Sequence, residues 1–175
     1  MVKEAMDIIR SQGMKKEYLS EDETPIETVL ECLEQMPFDL TDSVLDAGSG
    51  LNKVWFNAIN NKPKYECELK DGNDFLKWDI KVDWVVGNPP YKDWIEWLFK
   101  SADVSNKGFG FLINHTRLNQ LTPSRLNKVV EKGFYLNKIH ILECKKWFGR
   151  YYFLIFTKEQ SKSISWKLKV LGEKP

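Results

Sequence analysis

The fold is decided by the stretch Val82-Asp83-Trp84-Val85-Val86-Gly87-Asn88-Pro89-Pro90-Tyr91. Val, Trp and Val favour a buried strand of the parallel type. Asn88-Pro89 then forces the backbone out of the ladder, because proline lacks an N–H and restricts the residue before it. The expected product is a rigid lip at the carboxyl end of a strand, where open α/β sheets place their ligands. Such a lip has a chemical use. The exocyclic amine of a nucleobase is a poor nucleophile while its lone pair is delocalised into the ring. The Asn88 side-chain oxygen and the Pro89 carbonyl can each accept one of the two amine hydrogens, which draws the lone pair out of conjugation. Proline holds that carbonyl still, and the ring of Tyr91 offers a face for stacking.

Asn88-Pro89-Pro90-Tyr91 resembles motif IV of the class I S-adenosylmethionine-dependent amino-methyltransferases, most closely the DNA adenine-N6 methyltransferases. The likeness continues upstream. Val44-Leu45-Asp46-Ala47-Gly48-Ser49-Gly50 is a short apolar strand entering a Gly-rich turn, and Asp-x-Gly-x-Gly after a strand resembles motif I. Gly48 and Gly50 permit positive φ and close approach of a ligand. The helix expected through Val54, Trp55, Ala58 and Ile59 offers its first N–H groups to an anionic group, here the cofactor carboxylate. Lys53 stands where a dinucleotide fingerprint has its third glycine, which suits a cofactor without a pyrophosphate. Residues 64–69 read as a second strand, and Glu68, better than Glu66, matches the motif II acid that accepts ribose hydroxyls. Asp74-Phe75 resembles motif III. Thr24-Pro25 resembles motif X, with Pro25 expected at the first helical position, although an N-cap explains Thr24 equally well.

The resemblance covers residues 24–156 and implies a Rossmann-like α/β three-layer sandwich, mostly parallel, with a C-terminal antiparallel hairpin. It implies S-adenosylmethionine as cofactor, held by Thr24, Asp46, Gly48, Gly50, Glu68, Asp74, Phe75 and Asn88. Asn88, Pro89, Pro90 and Tyr91 would then hold an adenine flipped out of DNA. The chain departs from the family in two places. Only residues 69–73 separate Glu68 from Asp74, too few for a crossover helix, so that helix is expected to be missing and the third strand short or displaced. A target-recognition region of the family's usual size is also missing, so recognition is expected from a partner subunit or a second copy. The same lip suits adenine in RNA or a protein glutamine amide. A catalytically silent cofactor- or DNA-binding subunit of a larger methyltransferase is the alternative from another class.

The remaining chain supplies the other layers. Apolar residues 26, 29, 30 and 33 make one helical face, and 91, 94, 95 and 98 make another reaching about residue 102 with Trp94 and Trp97 in the core. Residues 109–114 read as a strand, with His115 as a rim contact. A helix over 123–132 and two strands, 139–143 and 151–156, complete the core. The hairpin connection interleaves cations and rings, so Lys145, Lys146, Trp147 and Arg150, with Arg117, are candidate nucleic-acid contacts, though packed rings explain the same composition. Alternation over 164–170 suggests an edge strand, and residues 1–20 one or two short helices.

With 175 residues, 42% of them hydrophobic, one domain is expected: a helical segment over 1–36, a core over 41–157 and a basic tail over 158–175. Formal charge is −8 over residues 1–90 and +9 over 91–175, a polarity that points the second half at nucleic acid. Three scattered cysteines and two histidines give neither a metal site nor a disulfide framework. With no membrane span and no signal sequence, the expected compartment is the cytoplasm.

Overall fold

The run ending at Gly87 is an inner strand of a six-stranded sheet. This is seen in a computed structural model that describes residues 23–147 and 149–166. The strands are β1 (Val44–Ala47), β2 (Lys64–Cys67), β3 (Val82–Gly87), β4 (Ser105–Asn114), β5 (Tyr135–Leu142) and β6 (Tyr151–Thr157), in the order β2-β1-β3-β4-β6-β5. β2, β1, β3 and β4 run parallel, and β6 pairs antiparallel with both β4 and β5. The helices are α1 (Ile26–Glu34), α2 (Val54–Ala58), α3 (Trp94–Val104), α4 (His115–Leu118) and α5 (Pro123–Glu131).

Alternation along the strands builds the core on both faces. Leu45, Val85, Phe109 and Phe156 pack with Trp94, Leu98, Leu126 and Val129 from α3 and α5. Val44, Trp84, Val86 and Phe153 turn the other way, onto Val29, Cys32, Val54 and Trp55 from α1 and α2. Two polar devices fix the register. At the start of β3, the Asp83 carboxylate accepts from the Ser43 N–H at 2.9 Å and hydroxyl at 2.8 Å. At the end of α2, the Lys64 ammonium donates to the carbonyls of Phe56 and Ile59 at 2.7 and 2.8 Å, replacing partners that the last turn lacks.

Several expectations are corrected. No strand and no α-helix forms between Glu68 and Lys81; two single turns of 3-10 helix, Leu69–Asp71 and Phe75–Lys77, make up the crossover from β2 to the parallel β3. β2 stops at Cys67, and β4 and β5 begin earlier than apolar patterning alone suggests, since ladder pairing carries Ser105, Asn106 and Lys107 into the sheet. Pro25 precedes the first helical residue, Ile26, and no side chain caps α1, so the N-cap account of Thr24 fails. Residues 164–166 are not a strand; the rest of that stretch, like the expected helices over 1–20, lies outside the described residues.

Backbone crowding demands glycine at the end of β3. At Gly87, φ is +154°, and a Cβ there would lie 2.4 Å from the Ala47 carbonyl oxygen on the adjacent strand. Backbone cannot yield as a side-chain tip does. Gly87→Ala is therefore expected to destabilise the fold by about 2–3 kcal/mol, read as a lower urea midpoint with unchanged slope.

Candidate active site

Three parallel strands end on one line. β1 stops at Ala47, paired with Cys67 at the end of β2, while Asp46 pairs with Val86 one residue before the end of β3. The residues that follow these ends, Gly48, Glu68 and Asn88, line both of two adjoining cavities. The larger, about 520 Å³, is also lined by Asp74, Phe75, Pro89, Tyr91, Trp97 and Trp147. The smaller, about 220 Å³, is lined by Glu23, Thr24, Gly50 and Trp55 among others. Strand register thus brings together side chains that are 20 residues apart in sequence.

The Gly-rich turn hangs from β2, with the N–H groups of Gly48 and Ser49 donating to the Cys67 carbonyl at 2.9 and 3.0 Å. Gly48 has φ +70°, and a Cβ there would meet the Trp97 ring at 2.7 Å, so the indole lies directly against the turn. Trp97 also packs on Phe75 with ring centroids 4.7 Å apart. The Asp74 carboxylate accepts from the Leu76 N–H at 3.0 Å and faces the larger cavity at the head of its 3-10 turn.

The two candidate acids of β2 separate cleanly. Glu66 accepts from the Ser49 hydroxyl at 2.7 Å and the Lys53 ammonium at 2.6 Å, and it lines neither cavity. Burial opposes its charge, but those two bonds prevail and hold its carboxyl below the usual range. Glu68 lines both cavities, with one oxygen on the Gly50 N–H at 2.9 Å. Glu23 likewise takes the Asn52 N–H at 2.7 Å. The N–H groups of Gly50 and Asn52 in the turn are therefore held by carboxylates of the chain itself, as is that of Phe56 by Asp46 in the following helix α2, which is only five residues long.

At the lip, Pro89 is buried and Tyr91 is 50% exposed. The Asn88 amide N–H donates to the Thr24 hydroxyl at 3.3 Å, and the same oxygen accepts from the Trp55 indole N–H at 3.2 Å. Thr24 thus joins the lip to α2. Among the described residues nothing donates to the Asn88 side-chain oxygen. The Arg117 guanidinium lies 4.8 Å from the Tyr91 ring centroid.

Asp46 lines neither cavity. It is fully buried, with one oxygen accepting from the Phe56 N–H at 2.8 Å and the other without a partner. Burial above all pushes its carboxyl up to about 8, against the Phe56 bond and with help from Glu66 and Glu68. Of the candidate nucleic-acid contacts, Trp147 lines the larger cavity and Lys146 donates to the Glu23 carbonyl at 2.9 Å. Lys145 and Arg150 are exposed and line neither cavity. Sequence reasoning missed Trp97, assigned wholly to the core, and Glu23, whose only signal is its place beside Thr24. Among the described residues no His, Cys, Asp and Glu group could hold a metal, and no helix is long and apolar enough to cross a membrane.

No protein-family model matches the sequence, and no curated protein does. Solved structures do match. A proposed RNA methyltransferase from Pyrococcus horikoshii is 15% identical with a TM-score of 0.61, over 90% of this chain and 96% of that one. Magnesium protoporphyrin IX methyltransferase from Synechocystis PCC 6803, solved with S-adenosylmethionine, is 13% identical with a TM-score of 0.55, over 77% and 78%. A proposed methyltransferase in complex with the Haloferax volcanii Trm112 activator is 13% identical with a TM-score of 0.55, over 90% and 97%. The fold is that of the class I methyltransferases. In it, the cavities described above open at the carboxyl rim of the parallel strands.

Asp46 makes stability depend on pH in a definite direction. An acid with a raised folded-state pKa binds its proton more tightly when folded, so its contribution is complete below the unfolded pKa and lost as pH rises towards about 8. Stability of the wild type should fall by about 1.4 kcal/mol per pH unit between about pH 5 and 7, while Asp46→Asn gives a flatter profile in urea unfolding.

Proposed function

We propose that this chain is an S-adenosylmethionine-dependent methyltransferase acting on the N6 amine of adenine in DNA. One observation carries the reading: the Asn88-Pro89-Pro90-Tyr91 lip lines the same cavity as Glu68, Asp74 and Phe75. The residues present suit the cofactor. Glu68 supplies a carboxylate for a ribose diol, Asp74 one for an adenine amine, and Phe75 with Trp97 an aromatic wall. At Gly48 any side chain would strike that wall. When bound, the cofactor supplies an electrophilic methyl group on a sulfonium and leaves as a thioether.

The protein's own groups prepare the acceptor. Thr24 takes the Asn88 amide N–H, which leaves the amide oxygen to accept a hydrogen from the incoming amine. The Pro89 carbonyl accepts the second hydrogen, so the nitrogen lone pair is freed from conjugation at a preorganised site. The nitrogen gains the methyl group and releases one proton to water. Tyr91 offers stacking area that offsets part of the cost of unstacking the base. Arg117, beside that ring, offers charge to a phosphate.

RNA adenine is the second reading, favoured by the Pyrococcus neighbour, which is of similar length and is described as an RNA enzyme. Recognition by a partner subunit is consistent with the neighbour solved with an activator. The test is mass spectrometry of nucleosides after incubating the protein and cofactor with duplex DNA or RNA. N6-methyladenine is expected in the DNA, lowered about a hundredfold in rate by Asn88→Ala. Tyr91→Ala should lower kcat/KM about tenfold. Methylation of RNA alone moves the assignment to the second reading, and cofactor binding without transfer to either supports a silent subunit.

A further inference from the structure

Among the described residues, Glu23 is the one acid in the smaller cavity that the motif likeness leaves without a role. It is 8% exposed, and its side chain lies across the Gly-rich turn: a Cβ on Gly50 would meet its carboxylate oxygen at 3.3 Å. The carboxylate is held in place by the Asn52 N–H at 2.7 Å and by the Asn52 side-chain amide. From the other side the Lys146 ammonium donates to the Glu23 carbonyl at 2.9 Å. Glu23 also shares the cavity with Thr24, Gly48 and Asn88, beside the lip. A carboxylate fixed at both ends of its residue and facing a small cavity is a built counter-charge for a cation.

We propose that Glu23 binds the α-ammonium of the cofactor's methionine end and selects cofactors that carry it. This rests on the S-adenosylmethionine reading and extends it. Two carboxylates, Glu23 and Glu68, border a cavity in which Lys70 is, among the described residues, the one lysine or arginine lining it, so a cationic end group is favoured there. Hydrogen bonds between ionised partners are about twice as strong as neutral ones, which makes the preference measurable. The competing geometry treats Glu23 as a stand-in for the cofactor carboxylate on the Asn52 N–H, to be displaced on binding. The two differ in sign. Neutralising a counter-charge weakens the ligand, whereas neutralising a competitor strengthens it.

The test is calorimetric titration of wild type and Glu23→Gln with S-adenosylhomocysteine and with 5′-methylthioadenosine, which lacks the amino-acid end. Glutamine keeps an oxygen for the Asn52 N–H, and thermal melting of the unliganded variant confirms that the fold is retained. Glu23→Gln is expected to weaken S-adenosylhomocysteine about tenfold and leave 5′-methylthioadenosine unchanged. Equal weakening of both ligands, or tighter binding of S-adenosylhomocysteine, overturns the proposal while leaving the cofactor reading intact. Wild type that binds neither ligand overturns the cofactor reading and this proposal with it.

Discussion

Everything at the carboxyl rim depends on how closely two parallel strands approach where they end. Gly87 lies against the Ala47 carbonyl with no room for a side chain, and this sets the Gly-rich turn beside the proline lip. The paired ends of β1 and β2 add the third member, Glu68. A parallel sheet has evenly spaced bonds and side chains that alternate between faces, so aligned ends carry their next residues to a common edge. One more residue before Glu68 or Asn88 would shift that side chain away from the shared space.

The rim is rich in acids, and the fold distributes them by solvent access. Asp46, buried beneath the turn with one unpartnered oxygen, lies where a charge is most costly, and its carboxyl moves up accordingly. Glu66 keeps its charge through Lys53 and Ser49. Glu23 and Glu68 occupy backbone N–H groups of the turn and remain against the cavities. Lys53 reaches Glu66 from a left-handed backbone, φ +51°, at the place where a dinucleotide fingerprint needs glycine. The turn is thus organised by the chain's own anions, so its donors are already aligned before any ligand enters.

The crossover from β2 to the parallel β3 carries no α-helix. Two 3-10 turns span the gap, each with an acid accepting from a backbone N–H two residues on: Glu68 from Lys70 and Asp74 from Leu76. The second turn buries Phe75 on Trp97, and that aromatic pair walls the larger cavity. Beside the strand ends, the cavity is therefore walled by helix α3 and a loop. That is why α3, which carries Trp97, contributes to both core and site.

The order of elements and the strand ends that border the cavities were legible because they rest on local chemistry. Val82 to Tyr91 could only be a strand ending in a stiff exit, and Asp46 to Gly50 only a strand entering a tight turn. The spacing from Glu68 to Asp74 excluded a crossover helix by length alone. The sequence matched Glu68 better than Glu66 to the motif II acid but left open what lies beside each. Tertiary packing decided that, by giving Glu66 to Lys53. It also gave Asp46 to the interior, made Thr24 a joint between Asn88 and Trp55, and turned Trp97 into a cavity wall. Local sequence determines where a backbone must bend; which side chains then meet depends on contacts between residues 10 to 64 positions apart, and only the folded chain supplies those.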